Sequence, residues 1–280
     1  MPGAAVVNDD TSADSFLYTR IACGYNLADI KRGNPQPSAT EDMTAVALKF
    51  QEIVKRYGKK TALRGVSLDI GSGEFFGLVG MNGAGKTTLI KCLFDFCAVD
   101  QGAIDIFGVS NRRTESRRPI AFLPERFMPP YYLTGRDFLG YALKLQGIAY
   151  DEAEAEATLR SLDLDPSALT RPVRSYSKGM TQKLGLSACF MARKDLYILD
   201  EPMSGLDPKA RALLKARLQS MRSSNRTLFF SSHALADVEE ICDRMAILHD
   251  GELRFVGSPA QCRAEFGADT LEQAFMKCIA

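Results

Sequence analysis

From Ala45 onward, short apolar runs alternate with longer amphipathic stretches. AVALKFQEIVKRYG and VSLDI read as strands of alternating or apolar character, and EFFGLVG is a short apolar run ending at glycine. The glycine-rich MNGAGKTTLIKCLFDF follows, a turn that opens into a helical run. Residues 103–123 return to strand character in AIDIFG and at the start of IAFLP, and residues 134–170 read as helical. Thr134 stands three positions before Asp137, the spacing of a capping box, and Asp151 opens an acidic first turn. Met180, Leu184, Ala188 and Met191 recur at i, i+4, i+8 and i+11, a helical stripe. DLYILDEP and RTLFFSSH have apolar centres, as strands buried on both faces do, and RMAILHDGELRFVG predicts a hairpin turned at Asp250–Gly251. Strands alternating with helices predict an α/β domain with a mostly parallel sheet. No internal repeat is visible.

Residues 1–42 break this pattern. Asp9, Asp10, Asp14, Asp29, Glu41 and Asp42 outnumber Arg20, Lys31 and Arg32, and Pro35 and Pro37 sit among small polar residues. Such a composition predicts a disordered leader, with the domain proper over 43–280. Within the leader, Ser15–Ile30 has the spacing for a short amphipathic helix, a docking arm as the alternative. The acidic start lacks the apolar core of a signal peptide. The longest apolar runs, such as Leu196–Leu199 and Thr227–Phe230, are strand-length, far below the ~20 residues of a membrane span. The net charge of +1 gives no reason to expect nucleic acid as a partner. Cys23, Cys92, Cys97, Cys189, Cys242, Cys262 and Cys278 include no CxxC pair, and with only two histidines in the chain they read as thiols in a reducing cytoplasm rather than zinc ligands.

The chemistry concentrates in three strings. Gly80, Met81, Asn82, Gly83, Ala84, Gly85, Lys86 and Thr87 match G-x-x-x-x-G-K-[ST] in full, between a predicted strand and a predicted helix. Glycines let backbone N–H groups curl around phosphate oxygens, and the helix adds its positive end. Lys86 is expected to reach the β- and γ-phosphates and Thr87 to give a hydroxyl to Mg²⁺, with Thr88 beside it at the nucleotide. Further on, LYILDE ends a buried strand in two carboxylates. Asp200 is placed to hold Mg²⁺ through water, and Glu201 to polarise an attacking water. The third string, SYSKGM, puts Ser177 and Gly179 at a helix N-terminus, a second anion site in a chain that already has one phosphate cradle.

In order and spacing these strings resemble the ATP-binding cassette (ABC) ATPases. Tyr176–Met180 matches that family's leucine-serine-glycine-glycine-glutamine signature at Ser177 and Gly179 and departs from it elsewhere. Tyr57 resembles the aromatic that stacks on adenine, Ser204–Asp207 the loop that crosses the dimer interface, and His233 the switch histidine that contacts the γ-phosphate. Glu125 stands where most of the family has a glutamine, and as a hard oxygen donor it is expected to ligate Mg²⁺ with Thr87 and Asp200. The resemblance covers about residues 45–280. It implies a P-loop RecA-like core with a mostly parallel sheet, an antiparallel β subdomain, and a helical subdomain inserted at about 126–185. It also implies ATP and Mg²⁺ as cofactors and ATP hydrolysis with Glu201, His233 and Lys86 as catalytic residues. Ser177, Lys178, Gly179, Met180 and Asp207 would bind the ATP of the opposite subunit in a head-to-tail dimer with a second copy or a homologous subunit. A separate transmembrane permease would dock near Phe127–Tyr132, holding the chain at the cytoplasmic face of the membrane. The C-terminal TLEQAFMKCIA resembles exporter-serving ATPases. An import ATPase is the alternative, and a cytosolic non-transport ABC ATPase a more distant one.

Overall fold

The computed structural model describes residues 46–280. The expected leader, the possible helix over Ser15–Ile30 and Cys23 lie outside the described residues. Strands β1 (Val46–Tyr57) and β2 (Lys60–Gly71) form a hairpin. β2 begins well before VSLDI, because antiparallel pairing with β1 carries KTALRG into the ladder, from Lys60 opposite Tyr57 onward. After β3 (Phe75–Val79) and helix α1 (Lys86–Leu93), β4 (Gln101–Ile106) returns to β1 and pairs with the short β5 (Val109–Ser110). This four-stranded sheet, in the order β2-β1-β4-β5, is antiparallel throughout.

The second sheet holds β3, β6 (Ile120–Leu123), β7 (Leu196–Asp200), β8 (Thr227–Ser232), β9 (Arg244–His249) and β10 (Glu252–Gly257). Its order is β10-β9-β3-β8-β7-β6, parallel except for the terminal β9–β10 hairpin. Side chains alternate along a strand, so a strand covered on both faces must be apolar at every position. Phe76, Leu78, Ile198 and Phe229 enter one core with Leu48 and Phe50 of the antiparallel sheet and Leu89 of α1. Their neighbours Phe75, Val79, Leu199 and Phe230 enter a second core on the opposite face. That is why the strands EFFGLVG, DLYILDEP and RTLFFSSH show no polar alternation.

The second core continues into helices α2 (Gly135–Leu145), α3 (Glu152–Ser161) and α4 (Lys178–Met191) through Phe138, Leu159 and Leu184. Residues 126–185 thus contain α2, α3 and the start of α4. The capping box forms: Thr134 accepts from Asp137 N, and the Asp137 carboxylate accepts from Thr134 N. Asp151 caps α3 by accepting from Glu154 N at 2.8 Å. Helices α5 (Pro208–Ser220), α6 (Leu235–Ile241), α7 (Pro259–Glu265) and α8 (Leu271–Ile279) complete the chain. No helix among the described residues is long and apolar enough to cross a membrane.

Candidate nucleotide-binding site

The carboxyl ends of β3, β7 and β8 lie side by side, because β8 pairs with both other strands. Every group that follows one of these strands therefore faces the same crevice, where open parallel sheets bind ligands. From β3 the chain enters the Gly80–Thr87 loop. Gly85 adopts a φ of 115°, and a Cβ there would stand 2.8 Å from the Ala62 carbonyl, so only glycine fits before α1. A cavity of about 520 Å³ opens over this loop, lined by Tyr57, Lys86, Thr87, Thr88, Glu125, Asp200, Glu201 and His233 among others. The structure thus brings together the residues expected at the nucleotide and the metal.

Lys86 Nζ donates to the Gly80 carbonyl at 2.5 Å and lies 3.7 Å from Glu201 Oε1. His233 Nδ1 lies 2.8 Å from Glu201 Oε2. The Glu201 carboxylate is thereby fixed between a cation and an imidazole, with only about 10% of its side chain exposed. Its backbone φ of 51° is in the left-handed region, which is costly for a residue with a Cβ and turns the chain sharply at the strand end. Ser231 was not singled out from the sequence, yet it organises both carboxylates. Its hydroxyl donates to Asp200 Oδ1 and accepts from Glu201 N. The signal was present in FFSSH: two hydroxyls ending an otherwise apolar strand.

Burial pushes the Asp200 carboxyl up to about 6. The hydrogen bond from Ser231 opposes the shift, the charges of Glu125 and Glu201 reinforce it, and Thr87 opposes it. A buried carboxylate with two acidic neighbours is short of positive charge, which suits a divalent cation. Among the described residues no group of three or more His, Cys, Asp or Glu could hold a metal unaided. Mg²⁺ takes one or two carboxylates and completes its shell with water and substrate phosphates, a demand that Asp200 and Glu125 meet.

Ser177, Gly179, Met180 and Asp207 do not line this cavity. Ser177 is the N-cap of α4 and accepts from Met180 N at 3.2 Å. Asp207 caps α5 by accepting from Ala210 N at 2.9 Å. These two loops touch each other instead. Lys178 Nζ lies 3.2 Å from Ser204 Oγ, and a Cβ on Gly179 would stand 2.9 Å from the Gly205 carbonyl. The aromatic cluster after Glu125 divides. Phe127 turns into the core, its ring 5.5 Å from Phe138, while Met128, Tyr131 and Tyr132 stay exposed. Only those three form a surface.

A family model for ABC transporters matches residues 63–204. The chain belongs to the ABC transporter family. It is 39% identical over 209 residues to an uncharacterized ABC transporter ATP-binding protein of Synechocystis sp., covering 72% of this chain and 58% of that relative. The chain thus spans less than two thirds of that relative's length. It is 33% identical over 236 residues to the Nod factor export ATP-binding protein I of Burkholderia thailandensis, covering 82% of this chain and 77% of the relative. Among solved structures, the ATP-binding subunit of an ABC transporter superposes with a TM-score of 0.76 at 31% identity, over 83% of this chain and 99% of the other. The cassette's P-loop fold is therefore that of an ABC ATP-binding subunit.

Proposed function

We propose that this ABC subunit hydrolyses ATP to drive a transporter, and that it works as a head-to-tail dimer with two ATPs between the subunits. The observation that carries the proposal is the placement of Glu201. It lies at the mouth of the phosphate loop, buried, restrained by Lys86 and His233, and next to Asp200, a buried carboxylate suited to a metal. When bound with ATP at Thr87, Asp200 and Glu125, Mg²⁺ would neutralise charge on the phosphates. Backbone N–H groups of residues 80–87 and the Lys86 ammonium hold the phosphates, and the exposed Tyr57 ring offers a platform for adenine. Glu201 orients and polarises the attacking water, and His233 holds Glu201 in place until it meets the γ-phosphate. Ser177, Lys178, Gly179, Met180 and Asp207 are the residues left for the partner's ATP, since they stand outside their own chain's cavity.

Export is the favoured direction, because a relative at 33% identity is named for Nod factor export. Met128 and Tyr131 border a groove with Val173 and Tyr176, and the exposed Tyr132 stands beside it with its ring 5.7 Å from that of Tyr131, a surface that suits docking of a helix from a membrane permease. In this reading the chain sits on the cytoplasmic face of the membrane.

The dimer is tested by mixing. Ser177→Arg chains and Lys86→Ala chains are each inactive in this scheme, while a mixed dimer keeps one intact composite site. Phosphate release should reappear on mixing. If the mixture stays as inactive as its parts, and Glu201→Gln chains that bind ATP form no ATP-dependent dimer, shared sites are excluded.

A further inference from the structure

Behind the candidate adenine platform lies a pair of thiols that the ATPase chemistry does not use. Cys92 occupies the last turn of α1 and is fully buried, and Cys97 follows the end of that helix and is half-buried. The chain folds back between them. Phe94 N donates to Ile90 O, Asp95 N to Cys92 O and Phe96 N to Lys91 O, with Asp95 at a φ of 57°. This closure brings the two sulfurs to 3.5 Å. Both sides of the pair are anchored. Asn111 Nδ2 donates to Cys92 O at 2.8 Å, and Lys55 Nζ donates to Ala98 O at 2.7 Å. Rotation about the side-chain bonds has to close the remaining gap to about 2 Å for a disulfide.

We infer that Cys92 and Cys97 form a peroxide-sensitive dithiol, which closes to an intrachain disulfide beside the nucleotide site. The roles of the two sulfurs differ. The hydrogen bond with Cys92 holds the Cys97 thiol below its ordinary value in spite of burial, and Tyr57, Lys55 and Lys91 act in the same direction. The same contact, with burial, pushes Cys92 far up. Cys189, Cys242, Cys262 and Cys278 are all pushed up by burial and have no such partner at hydrogen-bonding distance. Cys97 is thus the nucleophile and Cys92 the resolving thiol. The Cys97 thiolate attacks a peroxide oxygen, the O–O bond breaks, and hydroxide leaves and takes up a proton, giving a sulfenic acid. Cys92 then attacks the Cys97 sulfur, the S–O bond breaks, and water leaves with the Cys92 proton. Two thiols are oxidised by two electrons in all, and one hydrogen peroxide is reduced to two waters.

The Tyr57 hydroxyl lies within reach of both Cys97 and Thr88 of the phosphate loop. Drawing Cys97 toward Cys92 removes one of its two restraints. This second consequence rests on Tyr57 being the adenine platform, and its expected size is that of one hydrogen bond, about fivefold in nucleotide affinity.

Trypsin should release both thiols in a single peptide, residues 92–112, because no Lys or Arg lies between Lys91 and Arg112. The reduced full-length chain is treated with equimolar hydrogen peroxide, blocked with N-ethylmaleimide, digested and weighed. The inference requires that this peptide become lighter by two hydrogens and unreactive to maleimide before the peptides of Cys262 and Cys278 change. Dithiothreitol must restore it, and a Cys97→Ser chain must keep Cys92 unmodified. It is overturned if residues 92–112 take up two maleimides while the other thiols oxidise, or if Cys97 proceeds to sulfinic acid with no disulfide. Trinitrophenyl-ATP then probes the link through Tyr57. The oxidised wild type should bind it about fivefold more weakly, reversibly, with Cys97→Ser unresponsive to peroxide. Unchanged affinity alongside the disulfide overturns the link alone, whereas failure of the reduced chain to bind the probe counts against the nucleotide reading itself.

Discussion

Replacing Glu201 with glutamine removes one charge and almost no volume. Three contacts respond. The amide keeps a hydrogen bond to His233 but loses its charge assistance, the Lys86 ammonium at 3.7 Å loses its counter-ion, and the repulsion felt by Asp200 falls. The first two changes cost about 1 kcal/mol each, and the third returns an amount of similar size. Folding stability should therefore stay within about 1 kcal/mol of wild type, a few degrees in Tm. The effect on turnover is different in kind, because a neutral amide cannot take up a proton from the attacking water. Loss of a positioned general base costs at least about 100-fold, close to 2.7 kcal/mol of barrier. Phosphate release measured at saturating Mg-ATP reads the rate, and size exclusion with ATP reads the dimer that slow turnover should trap. Turnover within about threefold of wild type, in a chain with normal Tm, would remove Glu201 from the proposed chemistry. A large fall in Tm would show instead that the carboxylate is mainly a structural anchor for the turn at its φ of 51°.

Asp200→Asn isolates the strained carboxyl by pH. Its folded value of about 6 exceeds the unfolded 3.8, so its destabilising effect in the metal-free chain is absent below about pH 4, grows through pH 4–6 and is complete above. The Tm of wild type minus that of the asparagine variant should therefore fall between about pH 4 and 6, corresponding to roughly 3 kcal/mol over the whole titration, and a difference that is flat or rises with pH would contradict the burial argument. Glu125→Gln restores the family's commoner residue and takes a negative charge away from Asp200. Hydrolysis should be retained and metal-free ATP should bind equally or more tightly by calorimetry; complete loss of activity would show that the carboxylate has a task that depends on its charge. Gly179→Ala places a methyl 2.9 Å from the Gly205 carbonyl and must move the signature loop. ATP binding by the monomer should be unchanged and phosphate release should fall at least about tenfold, since the cost is borne by the loop offered to the partner; unaltered turnover would mean that the loop does not act on ATP.

How much of this was legible in the sequence differs between the sheets and the site. The parallel strands announced themselves, because burial on both faces leaves FFGLV, LYILD and TLFFSS with apolar centres and no polar alternation, their polar residues confined to the ends. The length of β2 did not, since KTALRG has neither alternation nor an apolar run and is held in place by its pairing with β1. Glycine spacing gave away the phosphate loop, as backbone geometry there leaves few other choices. Ser231 stayed hidden because a serine at a strand end is ordinary, and its role depends on which strand lies alongside. Phe127 and Met128 are equally apolar neighbours in sequence, and the tertiary packing of Phe127 against Phe138 and over Gly185 decides which of them turns inward. The thiol pair was likewise invisible as a pair. Its spacing of five residues suits neither a metal site nor helical neighbours, and the two sulfurs meet only because the helix ends between them.

The contacts of the signature loop explain why its departures from the family pattern are tolerable. Of the five residues Tyr176–Met180, the two that match are those whose atoms a replacement would displace: the Ser177 hydroxyl that caps α4, and Gly179, with no room for a Cβ against Gly205. Lys178 replaces a glycine, yet its side chain runs over Gly205, where a φ of 75° and the absence of a side chain leave space, and it ends on Ser204. Tyr176 points the other way and donates to the Ala168 carbonyl at 2.5 Å, tying the loop to the helical region. Gln182, one turn further along α4, donates to Pro202 O, next to Glu201. The signature loop and the turn that carries this chain's own Glu201 are thus joined by direct contacts at Ser204, Gly205 and Pro202. In the proposed dimer, each ATP is held by one chain's phosphate loop and the other chain's Ser177. Closing one site therefore bears on the backbone that aims Glu201 at the second. Two sites built this way share a boundary of only a few residues, and Lys178 in place of glycine adds one more hydrogen bond to that boundary.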